Sequence, residues 1–591
     1  MLATEYGDPL LEESPIEGSP RAPPHKRGQD EDDLELLVEE HIAAPQAHAR
    51  RLAPSLFCYE GGAHFQNQPG RTFAEIYELL DELGTGVSST VYRVQDKQSS
   101  ELRALKVIYS ETFGESYDLE TEDDTPFVAE MNVLRTVDHP HIIRLFDCFE
   151  GPGTRAIAME LCSGGNLFEH FSSLGSFGQE TVAGVIRQIG GAVAHLHSMQ
   201  ICHCDLKPEN ILVVEASYSP ELPGCPFIKL ADFGVATIWP GKAAGVGASD
   251  YAAPEVLLDN RHCDETGDIW SLGMVAFVLL TGLEPKLVMD TILEHGLVPA
   301  IQGVSEVAVD AVSWCLDKTQ EQRPTAPALL SHDWLVTVVP SSGPSGMEKV
   351  QARLQRFRRL SKLQQAMLQI VAYTMPVDQL AELSLTFEAL DTDHDGKLSL
   401  EEVRYGLDQV GPDQKQHITT FQAIDFDKSE FVNYSEFVAA CLTRKQCMQK
   451  DVLWRVFCAV DLDGSGTISQ QNLELALQST TMRNFFGDAW IARNFAEMDR
   501  DRNGQVDFEE FCTMMQEKME GSPASTGIGP RRESFRVTPT NAGLGPRRHS
   551  FGGLSIGPRR ESFISVASDG GAREVAASVS ESQRAAEPPR S

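Results

Sequence analysis

The sequence lacks the features that would send it out of the cell or into a membrane. Its twelve cysteines include no CxxC pair, so neither a zinc site nor a disulfide framework is signalled, and reduced thiols are expected. No apolar core of a signal peptide follows Met1 in MLATEYGDPL. Position two is leucine, where N-myristoylation needs glycine. The longest apolar run, IWSLGMVAFVLLTG at 269–282, is too short to cross a bilayer and reads as a buried helix. Positive charge is scarce: the 591 residues carry a formal net charge of −36. That balance argues against nucleic acid or an anionic membrane as the main partner and suits a module that gathers cations. The missing signals leave the cytoplasm, with the nucleus open, as the expected compartment.

The length predicts about two to four domains, and the composition divides it. Residues 1–72 are rich in Pro, Glu, Asp and Ala without sustained periodicity and are expected to be disordered, apart from a short helix over DLELLVEEHI at 33–42. Residues 73–335 read as globular, strand-like segments first and helix-like ones after. A linker and a basic amphipathic helix fill 336–377. Residues 378–516 hold four Asp-rich loops starting at 391, 425, 461 and 499, an internal repeat. The tail, 517–591, is rich in Gly, Pro, Ser and Arg and is expected to be disordered.

The first globular region carries residues suited to phosphate. LGTGVSSTVYRV at 83–94 supplies Gly84, Gly86, Ser89 and Val91, and glycines let a hairpin backbone approach phosphates that a side chain would block. Lys106 follows on a predicted strand, and Glu130 on a predicted helix is placed to pair with it. HCDLKPEN supplies Asp205, Lys207 and Asn210; ADFG supplies Asp232; AAPE supplies Glu255, with Arg323 as its expected ion-pair partner; DIWSLG supplies Asp268. In this order the elements resemble a eukaryotic protein kinase over about 73–335. The resemblance implies a two-lobed fold with ATP between the lobes, bordered by Gly84, Gly86, Ser89, Val91, Ala104, Lys106, Glu160 and Asp232. Phosphoryl transfer is mainly positioning and charge neutralisation. Lys106, held by Glu130, would grip the α- and β-phosphates, and Asn210 and Asp232 would hold Mg2+ through oxygen. Asp205 would orient or accept the substrate hydroxyl proton. Lys207 would stabilise the transferring group, in the serine/threonine-kinase pattern.

Three departures stand out. Ser89 replaces a third glycine. Gly247-Ala248 stands where related kinases have Gly-Thr, a threonine that ties the catalytic aspartate and lysine together. Cys204 stands where most have an arginine that receives an activation-loop phosphate. No Ser, Thr or Tyr lies between Ile238 and Gly247, so the usual phosphate acceptor is missing along with its receiver. Activation through loop phosphorylation is therefore not expected.

The four Asp-rich loops fit the twelve-residue EF-hand rule unequally. The first is complete: Asp391, Asp393, Asp395, Gly396, Lys397 through its carbonyl, Ser399 and Glu402. The fourth is complete too: Asp499, Asp501, Asn503, Gly504, Gln505 through its carbonyl, Asp507 and Glu510. The second has Asp425, Asp427, Ser429, Asn433 and Glu436 but Glu430 at the glycine position, where a left-handed turn costs roughly 1–2 kcal/mol. The third has Asp461, Asp463, Ser465, Gly466 and Ser469, but Asn472 replaces the bidentate glutamate. Two sound Ca2+ sites, a weakened second and a poor third are expected. A two-state switch needs about 5.5 kcal/mol to swing fully, and one selective site at a hundredfold its Kd supplies about 2.7 kcal/mol. A calcium response of low cooperativity follows.

Between these regions, MEKVQARLQRFRRLSKLQQAMLQIVAYTM at 347–375 places Val350, Leu354, Phe357, Leu360, Leu363, Met367 and Ile370 at helical spacing. Lys349, Arg353, Arg356, Arg358, Arg359 and Lys362 make it basic, the expected target of an acidic EF-hand module. Kinase, basic junction and four EF-hands in one chain resemble the calcium-dependent protein kinases of plants and protists. The fold class expected is multidomain α+β: a two-lobed kinase followed by an all-α, calmodulin-like EF-hand module. The resemblance implies that the junction blocks the substrate cleft until calcium-loaded EF-hands capture it, with ATP, Mg2+ and Ca2+ as ligands and protein Ser/Thr as substrate. The rival is a calcium-sensing scaffold with an inactive kinase fold, motivated by Cys204 and Ala248. In the tail, GPRRESF, GPRRHSF and GPRRESF place Ser534, Ser550 and Ser562 behind paired arginines, a basophilic substrate pattern. Glu209 favours an arginine near the substrate serine, whereas Asn166 stands where many basophilic kinases have glutamate.

Overall fold

The computed structural model describes residues 72–86, 89–109, 126–151, 154–174, 177–218, 225–238, 250–259, 263–286, 303–337, 347–408, 414–477 and 488–517. The helix expected at 33–42, the segment around Gly247-Ala248 and the tail repeats fall outside them.

The small lobe is a five-stranded antiparallel sheet of β1 (Tyr77–Thr85), β2 (Ser89–Asp96), β3 (Leu102–Tyr109), β4 (Leu145–Gly151) and β5 (Thr154–Met159), in the order β1-β2-β3-β5-β4, with helix α1 (Pro126–Thr136) alongside. Register matters here. Val91 pairs with Lys106, and Ala104 lies two residues before Lys106 on β3. Alternation along a strand and pairing across it put all three side chains on one face of the sheet. The large lobe is built on α2 (Gln179–Ser198) and α3 (Glu265–Thr281). The apolar run at 269–282 is this last helix, buried from Gly267 through Leu279. Asp264 caps its start by accepting from the N–H groups of Thr266 and Gly267, and Gly282, at φ +70°, ends it. The hairpin β6 (Ile211–Tyr218) and β7 (Pro226–Leu230) follows the catalytic loop.

The expected single junction helix is two helices, α4 (Met347–Phe357) and α5 (Lys362–Thr374). The break comes at the polar stretch Arg358-Arg359-Leu360-Ser361. Ser361 accepts from Gln364 N, and the Gln364 side chain accepts from Ser361 N, a capping box that starts α5 afresh. Helical periodicity runs through the break, so apolar spacing alone does not reveal it. The EF-hands comprise α6 (Ala381–Leu390), α7 (Leu400–Asp408), α8 (Gln414–Ile424), α9 (Tyr434–Cys441), α10 (Lys450–Val460), α11 (Gln470–Ala476), α12 (Asp488–Met498) and α13 (Phe508–Glu517). Loops one and two pair through Leu398 and Val432, and loops three and four through Ile468 and Val506. The four hands thus form two lobes.

The junction belongs to the core of the EF-hand module. Met347, Val350, Leu354, Phe357, Leu360, Leu363, Met367 and Ile370 are buried in one apolar cluster with Phe387, Phe437, Phe457 and Phe511. The basic residues of the junction contribute little charge pairing. Among the described residues, Arg356 donates to the Leu442 carbonyl, Arg358 donates to Thr419 Oγ1 at 2.7 Å, and the Lys362 ammonium lies 5.3 Å from the centre of the Phe426 ring. Apolar burial holds the segment, at about 25 cal/mol per Å² removed from water.

Candidate active site and calcium loops

The catalytic residues assemble as expected from their order. Lys106 Nζ donates to both carboxylate oxygens of Glu130, at 2.9 and 2.7 Å, and to Asp232 Oδ1 at 2.8 Å. Burial alone would lower the lysine, but the two carboxylates outweigh it and raise it above its ordinary value. Burial would raise Asp232, and Lys106 overrides that, holding it below the usual carboxylate range. Both groups are thus charged in the cleft. Lys207 Nζ donates to Asp205 Oδ2 at 2.6 Å, and Asn210 Nδ2 donates to the same oxygen at 2.9 Å. A carboxylate with two donors on one oxygen is held in orientation.

Asp268 anchors the catalytic loop from beneath. Fully buried, it accepts from the N–H groups of His203 and Cys204, both at 2.8 Å, and lies 3.0 Å from His197 Nε2. Cys204 sits at φ +66°, a left-handed conformation that costs a non-glycine residue about 1–2 kcal/mol and that the pair of charge-assisted bonds offsets. Its thiol is buried beside Cys202 and Cys263. Burial also pushes the Cys202 thiol up, which argues against a reactive role.

A Cβ at Gly84 would meet no atom within 4 Å, so the fold itself makes no steric demand for glycine there. The open space suits phosphates. Gly86 N donates to the Ser89 carbonyl at 2.7 Å and closes the hairpin start. Glu255 and Arg323 form the expected pair, bidentate at 2.6 and 2.9 Å. Glu160 differs from a nucleotide contact made by its side chain. Its carboxylate pairs with the buried Lys229 ammonium at 3.1 Å and is held low by it against the effect of burial. Asn166 is likewise in structural use: its Oδ1 accepts from Glu169 N at 2.8 Å at a helix start.

Loops one, two and four each bring three carboxylates within ligand reach: Asp391, Asp393 and Glu402; Asp425, Asp427 and Glu436; Asp499, Asp501 and Glu510. Asp391 Oδ1 is buried with no hydrogen-bond partner. Burial and then Asp395 push its carboxyl up to about 8, and burial with Asp393 pushes Asp395 up to about 6. Crowded, dehydrated, oxygen-only donors fit a hard divalent cation. The sixth position is left-handed in every loop: Gly396 at φ +77°, Glu430 at +70°, Gly466 at +81° and Gly504 at +84°. The second loop thus takes the strain foreseen at Glu430.

Sequence reasoning missed how the EF-hands meet the kinase. His141 Nε2 lies 2.9 Å from Glu388 Oε1, and Arg144 donates to the carbonyls of Tyr373 and Met375 at 3.1 and 3.0 Å. Asp138 accepts from Ser435 N at 2.8 Å. His195 Nδ1 donates to the Asp395 carbonyl at 3.0 Å, a residue of the first calcium loop. These residues sit in the loop before β4 and at the end of α2, and no local signal marks them.

The protein kinase domain family matches residues 77–335, and the EF-hand domain pair matches 381–442 and 450–516. Calcium-dependent protein kinase 7 of Arabidopsis thaliana is 31% identical over 459 residues, covering 74% of this chain and 82% of the relative. Calcium-dependent protein kinase 22 of the same plant is 30% identical, covering 74% and 90%, and calcium-dependent protein kinase 11 of Oryza sativa subsp. japonica is 29% identical, covering 75% and 76%. The chain belongs to the calcium-dependent protein kinase family. It is a calcium-activated serine/threonine protein kinase that uses ATP and Mg2+, with Ca2+ at its EF-hands.

Proposed function

We propose that calcium activates this kinase by drawing the junction into the EF-hand core and away from the substrate cleft. The observation that carries this reading is the burial of Val350, Leu354, Phe357 and Leu363 among the EF-hand aromatics while the catalytic residues stand assembled. An apolar helix face shielded by the EF-hands is not available to occupy a cleft. In the active arrangement Lys106 would hold the α- and β-phosphates, Asn210 and Asp232 would hold Mg2+, and Lys207 would meet the transferring group. Asp205 orients the attacking hydroxyl and takes its proton. ATP with Mg2+ supplies the phosphoryl group and neutralises its charge. For calcium, the ligands proposed are Asp391, Asp393, Asp395, Lys397 and Glu402 in loop one, Asp425, Asp427, Ser429 and Glu436 in loop two, and Asp499, Asp501, Asn503, Gln505 and Glu510 in loop four.

The substrate proposed is a serine behind paired arginines, with Ser534, Ser550 and Ser562 as autophosphorylation sites. The described cysteines form no disulfide with one another, which supports a reducing compartment, cytoplasm or nucleus. The test is phosphate transfer from ATP to a peptide carrying RRESF, in saturating calcium and in chelator, with Asp205→Asn as the blank. Transfer that needs both calcium and Asp205 is expected. Equal transfer in chelator would sink the junction mechanism and leave the enzyme. Loss of the requirement for Asp205 would overturn the assigned chemistry.

A further inference from the structure

Loops one and three both touch the kinase, and they do so with different atoms. Loop one offers a backbone carbonyl, that of Asp395, to His195 Nδ1 at 3.0 Å and to Ser198 Oγ at 3.2 Å. Its first carboxylate, Asp391, keeps Oδ1 unpartnered. Loop three offers the carboxylate itself. Asp461 Oδ2 accepts from Gln98 Nε2 at 2.7 Å and from Gly466 N at 2.8 Å; Asp461 Oδ1 accepts from Ser465 N at 3.0 Å and from Ser465 Oγ at 3.2 Å. The Ser465 hydroxyl has one proton, which also reaches the Thr467 carbonyl at 2.8 Å, so three N–H donors are committed to the Asp461 carboxylate. At the twelfth position, Asn472 has one acceptor oxygen, and it accepts from Ser469 N and Ser469 Oγ at 2.9 and 2.7 Å. Backbone donors of this kind recur in loop four, where Asn503 N and Gly504 N reach Asp499; what sets loop three apart is the Gln98 amide on Asp461 and an amide, Asn472, in place of the bidentate carboxylate.

The partner of loop three is equally defined. Gln98 lies in the turn between β2 and β3, which Asp96 Oδ1 preorders by accepting from Gln98 N at 2.8 Å and Ser99 N at 2.7 Å. The same turn receives two further contacts from α10. Trp454 Nε1 donates to the Gln98 carbonyl at 3.3 Å, and Arg455 Nε pairs with Glu101 Oε1 at 3.1 Å. Trp454 is itself fixed between the Phe457 and Phe508 rings, 5.6 and 5.0 Å away between centroids. Three side chains of one helix and its loop thus converge on one short turn. A cleft of about 520 Å³, lined by Asp461 to Gly464 on one side and by Tyr77, Arg103 and Phe146 on the other, runs along the seam. With that space open, polar contacts at the turn carry the attachment more than apolar burial does.

We infer that the third EF-hand is a docking element for the small lobe: its loop holds the β2–β3 turn through Asp461 and Gln98 in place of a calcium ion. The inference rests on the docked geometry and not on where the junction goes without calcium. It also ties the second EF-hand lobe to the sheet that carries Lys106, since that turn feeds β3.

The test uses the full chain in saturating calcium, comparing Gln98→Ala and Asp461→Ala with the unaltered protein. Bound calcium is counted by equilibrium dialysis, and amide hydrogen exchange is followed at residues 97–101. Both variants are expected to keep the full calcium count and to speed exchange at the turn about tenfold, the factor given by one hydrogen bond of ~1.4 kcal/mol. Asp499→Ala, in loop four, is expected to lose one calcium and leave the turn unchanged, which shows that single sites are resolved. One calcium fewer in Asp461→Ala would make loop three an ion site and overturn the assignment. Unchanged exchange at 97–101 in both variants would overturn the docking. Gln98→Ala alters only a turn side chain, so it reports on docking even where Asp461→Ala disturbs its loop. Neither readout involves catalysis, so failure here is distinct from failure of the kinase reading.

Discussion

The catalytic cleft and the calcium loops are both built from carboxylates, yet they stand in opposite states. In the cleft each of these acids lies against a lysine: Lys106 is shared by Glu130 and Asp232, and Lys207 meets Asp205. In loop one, Asp391, Asp393, Asp395 and Glu402 face one another, and burial with mutual repulsion forces Asp391 and Asp395 towards the protonated form. One region is preorganised and needs only its substrates. The other holds repulsion that a divalent ion relieves. The difference locates the switch: calcium acts where carboxylates face only one another and leaves the chemistry to a site whose carboxylates already lie against lysines.

The sharpest way to break this contrast is to alter one region and watch for a response in the other. Asp205→Asn removes the proton acceptor and is expected to lower phosphate transfer by about 10²–10⁴-fold, with calcium binding unchanged by dialysis. A calcium defect in that variant would show that the two regions are not separable. Next, Glu402→Gln and Glu510→Gln each take a bidentate oxygen from a sound loop. The calcium concentration for half-maximal activity is expected to rise about tenfold or more for each, equal to ~1.4 kcal/mol, while the rate in saturating calcium stays the same. A fallen maximal rate at saturation would place Glu402 or Glu510 in the active arrangement itself.

A smaller effect comes from pH. A carboxyl raised in the folded state binds more protons there than in the unfolded chain, so calcium-free stability falls as pH rises through about 6 for Asp395 and about 8 for Asp391. Calcium needs the ionised forms and must release those protons. The calcium-induced increase in Tm is therefore expected to be larger at pH 8 than at pH 6, which thermal denaturation at the two pH values checks. Smallest is Glu430→Gly. It removes a left-handed strain of about 1–2 kcal/mol against a glycine entropy penalty of about 0.5–1 kcal/mol. A gain of roughly 1 kcal/mol or less in the denaturant stability of the EF-hand module is expected, together with tighter calcium at loop two. A loss of stability would mean that Glu430 makes contacts that outweigh its backbone.

The sequence alone determined the residues that chemistry dictates. Phosphoryl transfer needs a lysine, carboxylates and an amide in a fixed order, so Lys106, Glu130, Asp205, Lys207, Asn210 and Asp232 were legible before any fold. A twelve-residue calcium loop needs oxygens at set positions and a left-handed sixth residue, so the strain at Glu430 was legible too. Tertiary structure alone decided what depends on residues far apart in the chain. The carboxylate of Glu160 turns to Lys229, Cys204 closes against Cys263, and Asp461 is met by Gln98, 363 positions away. The break at Ser361 was hidden because apolar periodicity continues across it while a local capping box starts a second helix. Spacing reports which residues can share a face. Which partner fills a lone pair is settled by the closest donor once the chain has folded.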